Sequence, residues 1–198
     1  MKRIMSETPW KTDKWHTSAW NFNEEVKKST NFANDIKFHD VSLRDGEQQS
    51  GLIFNKDQKV QLAEKLSELG MHRIEAGMPA VSTQDAEAIK EIVKRNMGPE
   101  IFAFARCMKE DVKHSIDCGV KNIVMEVPAS DHMIENAYKW DVKKAIDLSI
   151  EATLYAKENG LYVSFFTIDG SRAEIDEYLD LVEKVATEGH MDELTVVD

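Results

Sequence analysis

The alternation of apolar and polar residues predicts strands separated by helices between residues 36 and 198. Short runs rich in β-branched and aromatic residues are nearly continuously apolar, which is typical of strands covered on both faces. These runs are IKFHDVSL (36–43), HRIEAG (72–77), EIFAFAR (100–106), NIVMEVP (122–128), YVSFFTI (162–168) and ELTVVD (193–198). Strands that alternate with helices in this way require a parallel sheet with the helices outside it.

The amphipathic stretches between these runs carry residues that start and stop helices. Asn55 and Gln58 fit a capping box, and Gly70 fits the left-handed residue that ends the same helix. Ser82 with Asp85 fits the start of the next helix. The later helices are expected to end at Gly119, at Asn159-Gly160 and at Gly189.

Two architectures fit this alternation: an open doubly wound sheet, or most of an eight-unit (β/α) barrel. The length of 198 residues favours the open sheet, since a full barrel usually takes about 250 residues. Asp198 favours the barrel, because it directly follows an apolar strand, whereas an open-sheet domain normally finishes with a covering helix. The pattern alone leaves both possibilities open.

The first 35 residues differ from the rest of the chain. Trp10, Trp15, Trp20 and Phe22 lie there in a charged context with weak periodicity. We interpret residues 1–35 as an aromatic arm that packs outside the domain or on a partner subunit, in preference to a ligand-binding lid. Residues 36–198 form the parallel α/β domain.

Composition and charge exclude several classes of partner. The formal net charge of -11 argues against nucleic acid and anionic membranes, which would repel so acidic a surface. No run approaches the roughly 18 apolar residues of a membrane span. Cys107 and Cys118 are too few for a disulfide framework, and no apolar stretch follows the charged N-terminus. We therefore expect a cytoplasmic protein.

Charged and amide side chains collect where the predicted strands end. Active sites of parallel α/β proteins lie at this edge, because the loops converge there while the strands stay rigid. The groups in chain order are Arg44, Asp45, Glu47 and Gln48, then Glu75, Arg106, Ser130, Asp131, His132, Asp169, Arg172 and Asp198. The sequence therefore predicts a polar site at the carboxyl edge of the sheet.

The adjacent Arg44 and Asp45 point to enolate chemistry. A carboxylate suits a hard cation such as Mg²⁺ or Mn²⁺, and a guanidinium suits a carbonyl, enolate or carboxylate oxygen. A simple ion pair at the strand end explains this pair equally well. Glu75 lies close to the core and needs a partner there, which could be Arg44, Arg106 or a metal-bound water.

The stretch HDVSLRDGEQQSG resembles the signature of the metal-dependent DRE-type barrel enzymes. These are isopropylmalate, homocitrate and citramalate synthases, with related acyl-CoA lyases and carboxyltransferases that share the pyruvate carboxyltransferase-like domain. IEAGMPAVS is similar to the second-strand motif of the synthase branch. The resemblance runs from residue 36 to the last residue and implies a TIM barrel, (β/α)8, with about six of its eight units present.

The same resemblance implies a role for each polar residue at the strand ends. Asp45 matches a carboxylate ligand of a divalent metal, Mg²⁺ or Mn²⁺ rather than Zn²⁺. Arg44 matches the arginine that holds the oxygen of a 2-oxo acid, and Glu75 a catalytic residue of the same pocket. Substrate-binding positions are implied for Gln48, Arg106, Ser130, His132 and Arg172.

The implied reaction is a Claisen-type condensation of an acyl-CoA, usually acetyl-CoA, with a 2-oxo acid. If the protein is such an acyltransferase, these two substrates are its expected partners. Open sheet edges favour a homo-oligomer or a complementary chain. The alternative within enzymes is a lyase or aldolase that cleaves a carbon–carbon bond through the same chemistry. The alternative of another class is a truncated, non-catalytic or split chain.

Three departures from the family pattern set this chain apart. An HxH metal-binding motif on a seventh strand is absent from the sequence. Ile168 stands where the synthases usually carry Glu on the fifth strand, and Met133 stands where the family often has His. We therefore expect a divergent and C-terminally truncated member.

Overall fold

Six parallel strands of the computed structural model, which describes residues 8–31, 33 and 35–198, hydrogen-bond in the order of the chain. The strands are β1 (His39–Asp40), β2 (Arg73–Glu75), β3 (Glu100–Arg106), β4 (Asn122–Pro128), β5 (Tyr162–Ile168) and β6 (Glu193–Val196). In a doubly wound sheet the strand order reverses at a switch point. Here every crossover leads to the next strand on the same side, as in a (β/α) barrel. The barrel-type fold is confirmed, and the open doubly wound alternative is excluded.

The helices comprise one after each of the first five strands, as the sequence predicts, and two short ones before β1 and after β4. They are α1 (Glu24–Ser29), α2 (Lys56–Leu69), α3 (Thr83–Arg95), α4 (Lys109–Asp117), α5 (Asp131–Met133), α6 (Val142–Glu158) and α7 (Ile175–Lys184). The capping box of Asn55 and Gln58 is present, and Gly70 ends α2 with φ 87°. Ser82 caps α3 by accepting a hydrogen bond from the backbone of Asp85. No helix among the described residues is long and apolar enough to cross a membrane.

The strand prediction is correct in the centre of the sheet and too long at its edges. β3, β4 and β5 have the predicted bounds, whereas β1 covers only residues 39–40 of the predicted 36–43. The Val41 carbonyl accepts N–H groups of Arg44, Asp45 and Gly46 at 3.1, 2.9 and 3.2 Å. The chain therefore turns directly after Asp40 and carries the RDG segment out of the strand.

The last predicted helix changes its type before it ends. After α7 the chain continues as a π-helical turn, Val185–Gly189, and the left-handed residue is His190 with φ 62°. Gly189 packs closely against α6, since a Cβ atom there would lie 3.1 Å from Cβ of Thr153. The helical segment ends at Gly189, as the sequence predicts.

The two faces of the sheet bury different kinds of side chain. The outer face is apolar and packs against the helices, with Ile74, Ala103, Ile123, Met125, Val127, Val163 and Phe165 in two large clusters. The inner face carries a smaller cluster of Phe102, Phe104 and Val124. Because strand side chains alternate between faces, the polar residues Arg73, Glu75 and Glu126 fall on this inner face.

A polar network ties distant strands together across the inner face. Arg73 on β2 donates to Glu100 at 2.9 Å and to Glu193 on β6 at 2.7 Å. Tyr162 on β5 donates to the same Glu193 at 2.9 Å. The guanidinium of Arg73 also lies 5.1 Å from the ring centre of Phe102. This network occupies the amino ends of the strands, away from the edge where the site is expected.

The described residues up to Ile36 form a unit of their own, separate from the unit Lys37–Asp198. Within it, Trp10 packs against Phe22 with ring centres 5.9 Å apart, and Lys11 forms an antiparallel bridge with His16. Trp20 is 82% exposed. The division into an arm (residues 1–35) and a barrel domain (residues 36–198) stays a prediction.

Candidate active site

Arg44 and Glu75 form a buried ion pair at the carboxyl end of β2. Glu75 is fully buried, and the Arg44 side chain is 10% exposed. Arg44 donates from Nε to Oε1 of Glu75 at 2.6 Å and from Nη2 to Oε2 at 3.3 Å. Of the three partners that the sequence left open for Glu75, Arg44 is the one found. This bidentate contact fixes the plane of the guanidinium.

The same guanidinium is held on two further sides. Nη1 donates to Oδ1 of Asp45 at 2.9 Å, and the ring centre of Phe104 lies 4.2 Å from Cζ. The turn at Val41 brings Arg44 and Asp45 together despite their adjacent positions. An arginine has five N–H donors, so Arg44 keeps donors for a further oxygen beyond those bonded to Glu75 and Asp45.

Burial controls the charge of the groups around this pair. It raises the pKa of Glu75, while the hydrogen bond and the charge of Arg44 oppose the shift. His39 lies with Nε2 3.8 Å from Oε2 of Glu75. Burial, and then the charge of Arg73, lower the pKa of His39, which favours its neutral form. Nε2 of His39 has no hydrogen-bond partner among the described residues.

Lys59 on α2 is a buried cation that anchors the loop carrying Arg44. It is 2% exposed and donates to the Leu43 carbonyl at 3.1 Å. Its ammonium group also pairs with Glu47 at 2.6 Å and with Asp85 on α3. Sequence reasoning missed this residue, although a lysine beside Val60 on the apolar stripe of α2 is the signal that could have found it.

Asp85 links the same anchor to the loop after β2. Its carboxylate accepts the backbone N–H of Met78 at 2.6 Å. Burial raises the pKa of Asp85, and the hydrogen bond from Lys59 opposes that shift. Gly77 has φ 144°, and a Cβ atom there would lie 2.6 Å from Oδ2 of Asp85. Only glycine fits this position without displacing Asp85.

A cavity of about 310 Å³ opens beside Arg44. Gln48 and Glu47 contribute polar groups to its wall. The remaining wall is largely apolar and includes Leu52, Ile53, Met78 and Val81. The cavity therefore offers an apolar wall with the Arg44 guanidinium at its lining.

A second polar group lies at the ends of β4 and β5. Ser130 is buried, caps α5 through the backbone N–H of Met133 at 3.2 Å, and donates its hydroxyl to Asp169. Arg172 donates from Nε to Asp169 at 2.5 Å, while its side chain is 75% exposed. Hydrogen bonds from Ser130 and then Arg172 lower the pKa of Asp169. This group holds two loops, and its residues are placed at the predicted edge.

Arg106 and His132 are oriented toward their own local neighbours. Arg106 makes two hydrogen bonds to Asp111 at 2.7 and 2.9 Å, which tie the end of β3 to α4. His132 is exposed and contacts Asn136 one turn further along the chain. Their substrate-binding role, like that of Ser130 and Arg172, stays a prediction.

Glu126 is an inner-face residue that sequence reasoning missed. It lies on β4 in register with Arg106 and Phe166. Burial has the largest effect on its pKa and raises it, Arg44 lowers it, and Glu75 raises it again. Its charge therefore acts within the same cluster as the Arg44–Glu75 pair. A charged residue inside the apolar run NIVMEVP was the available signal.

The donor set for a metal is incomplete within the part of the chain that the structure describes. No group of three or more His, Cys, Asp or Glu side chains there could hold a metal ion. Asp45, the predicted ligand, has its side chain 61% exposed and one oxygen bonded to Arg44. One carboxylate rarely holds a divalent cation against water, so these residues do not fit a metal site by themselves.

Comparison with known proteins identifies relatives over most of the chain. Residues 35–192 match the model of the HMGL-like family. A homocitrate synthase, AksA, of Methanocaldococcus jannaschii is 37% identical over 167 residues, which are 83% of this chain and 40% of that protein. A 2-isopropylmalate synthase of the same organism is 37% identical over 179 residues, 89% of this chain and 34% of that protein.

Solved structures give the same fold at lower identity. The HMG-CoA lyase of Bacillus subtilis superimposes with a TM-score of 0.73 at 16% identity, over 85% of this chain and 60% of the lyase. At this identity the likeness concerns the fold alone. The chain spans 40% and 34% of the length of the two curated synthases.

Proposed function

The chain belongs to the HMGL-like family, and on that premise we propose that it takes part in a Claisen-type condensation of an acyl-CoA with a 2-oxo acid. Its relatives include isopropylmalate, homocitrate and citramalate synthases. The observation that carries the proposal is the guanidinium of Arg44, which buried Glu75 holds by two hydrogen bonds beside an open cavity. Acetyl-CoA is the acyl donor that the resemblance favours.

Arg44 binds the 2-oxo acid in this proposal. Contacts with Glu75, Asp45 and Phe104 fix the orientation of its guanidinium. The Arg44 side chain therefore loses little conformational freedom when the oxo acid binds to its unused N–H donors. In the condensation, a base removes a proton from the acyl methyl group, and the resulting enolate carbon attacks the carbonyl carbon of the oxo acid. Negative charge then grows on the carbonyl oxygen, where a fixed guanidinium stabilises it more than it stabilises the neutral ground state. Water then hydrolyses the thioester of the product, which releases the CoA thiol.

The cavity beside Arg44 is the proposed place of the acyl-CoA. Its apolar wall suits the arm of the thioester, and Gln48 supplies an amide at its rim. Lys59 keeps the loop with Glu47 and Gln48 closed against α2 and α3. Arg106, Ser130, His132 and Arg172 are proposed to complete the substrate pocket from the neighbouring loops.

A divalent metal, Mg²⁺ or Mn²⁺, would polarise the carbonyl group of the oxo acid if it were bound. Asp45 is the proposed ligand that this chain contributes. The described residues do not form the rest of such a site. We further propose the cytoplasm as location, which the buried, unpaired thiols of Cys107 and Cys118 support.

The runner-up is a lyase that cleaves a carbon–carbon bond with the same residues. Ile168, which stands where the synthases usually carry Glu, favours it, whereas relatives that are 37% identical are synthases. The third possibility is a chain that requires a complementary piece, because it spans 40% or less of those synthases.

Two assays separate these three functions. The chain is incubated with acetyl-CoA and a panel of 2-oxo acids, and the released CoA thiol is measured with a thiol reagent. Release that depends on the oxo acid and is lost in Arg44→Lys supports the condensation. Cleavage of a 3-hydroxyacyl-CoA without such release supports the lyase, and inactivity in both assays supports the non-catalytic or split chain.

A further inference from the structure

Glu126 is an ionisable residue of the inner face to which the condensation described above gives no role. It lies on β4 between Met125 and Val127, both of which are fully buried on the outer face under the helices. Because strand residues alternate between faces, the Glu126 side chain points to the inner face. Its register neighbours there are Arg106 on β3 and Phe166 on β5.

The carboxyl group of Glu126 has no compensating partner among the described residues. Burial and the charges of other residues act on it, without any hydrogen bond. Arg106, the charged residue in register with it, is bonded to Asp111 through Nε at 2.7 Å and through Nη2 at 2.9 Å. An unpaired carboxylate in a half-buried position is costly, and burial accordingly raises the pKa of Glu126.

The neighbouring carboxylates raise the pKa of Glu126, as burial does. Arg44 is the cation that acts on Glu126, and it is already shared with Glu75 and Asp45. The charges of those two carboxylates, together with burial, raise the pKa of Glu126 above the ordinary value of 4.5, and Arg44 only partly offsets this. The other titratable groups on which Glu126 acts are Tyr138 and Cys107.

We propose that Glu126 is the general acid of the condensation and donates its proton to the carbonyl oxygen of the 2-oxo acid. As the enolate carbon bonds to the carbonyl carbon, the π electrons of the C=O bond move to its oxygen. The proton on Oε of Glu126 passes to that oxygen, which leaves a hydroxyl group on the product and an ionised Glu126. Solvent returns the proton before the next turnover. Arg44 holds the substrate and stays charged throughout.

The inference rests on the proposed condensation, and its test keeps the two apart. The variant is Glu126→Gln, which preserves shape and removes the proton. The matched control is Glu158→Gln on the exposed end of α6. Two readouts are taken. The first is the infrared carboxyl bands of each protein between pH 4 and 8, a range that extends well above an ordinary glutamate pKa of about 4.3. The second is CoA release from acetyl-CoA and a 2-oxo acid.

The infrared readout needs no activity. We expect a protonated carboxyl band that persists above the pH at which ordinary glutamates ionise, that is absent from Glu126→Gln and that is retained in the control. A wild-type spectrum without this band overturns the inference, whatever the enzyme does.

The kinetic readout tests the role in the reaction. We expect kcat to fall about 10²–10⁴-fold in Glu126→Gln, with KM for the oxo acid nearly unchanged. The wild-type rate should decline as pH rises through the pKa of Glu126, and the variant should lack that decline. A wild-type enzyme that turns over while Glu126→Gln keeps its rate overturns the inference and leaves the condensation intact. Absence of CoA release from the wild type overturns the condensation itself, and the general-acid role falls with it.

Discussion

Replacement of Lys59 by Met tests whether the loop before the site depends on one buried cation. The substitution keeps the length and the apolar stem of the side chain, but it removes the cation that Glu47 and Asp85 share. Breaking a buried pair costs about 3–5 kcal/mol. Because the Glu47 side chain is 23% exposed and can be hydrated, we expect the lower end, about 3 kcal/mol.

The assay is urea denaturation at neutral pH, followed by circular dichroism, with a thermal scan beside it. For a chain of this size, about 3 kcal/mol corresponds to a loss of about 6–12 °C in Tm. The matched control is Lys65→Met on the same helix, because Lys65 is 72% exposed and its bond to Glu68 is accessible to water. We expect the control curve to overlay that of the wild type.

A double variant distinguishes lost pairing from general damage to the core. Lys59→Met with Asp85→Asn neutralises the carboxylate that the single variant leaves unpaired, so part of the lost stability should return. If Lys59→Met alone cost less than about 1 kcal/mol, which is typical of an exposed pair, the reasoning about this anchor would be refuted.

Three further predictions follow from particular contacts. Gly77→Ala should lower the midpoint of urea unfolding, because the added methyl group would lie 2.6 Å from Asp85. Gly98→Ala is the control and should lower the midpoint less, since there is open space around residue 98. Comparable losses of stability would contradict the role of the contact with Asp85. Calorimetry with Mn²⁺ should show no micromolar binding to this chain, since the described residues offer no group of three ligands; micromolar binding that disappears in Asp45→Ala would contradict this. Glu126→Gln should be more stable than wild type at pH 8 and equal to it at pH 4. The pKa of Glu126 is raised in the folded state, so the wild-type protein loses stability as pH rises through that pKa. Equal denaturation curves at both pH values would show that the pKa of Glu126 is ordinary.

The sequence predicts the elements whose stability is local or comes from continuous burial. β3, β4 and β5 are central strands with apolar residues toward the helices, and their bounds agree with the prediction. β1 is shorter than its apolar run, because the Val41 carbonyl captures three successive N–H groups and ends the strand. A run of apolar residues contains no information about such a turn.

The expectation that polar residues collect at the carboxyl ends of the strands predicts where these residues lie. It does not predict how they pair. It places Arg44 and Glu75 at one edge, and they meet. It places Arg106 at the same edge, where Asp111 on the following helix holds it. Lys59 was missed because it lies beside the apolar stripe of α2 and its partners come from segments more than ten residues away in sequence. Glu126 was missed because it lies inside the apolar run of β4.

Binding of a 2-oxo acid by Arg44 is the step on which the proposed function depends. The affinity of the chain for pyruvate, the simplest 2-oxo acid, would be measured by calorimetry for the wild type, Arg44→Lys and the surface control Arg95→Lys. A lysine cannot replace a guanidinium that bonds Glu75 with two N–H groups and presents others to the substrate. We predict that affinity falls at least about tenfold, which is about 1.4 kcal/mol, in Arg44→Lys only. Equal affinity of all three proteins would contradict the assignment of Arg44 as the binding group.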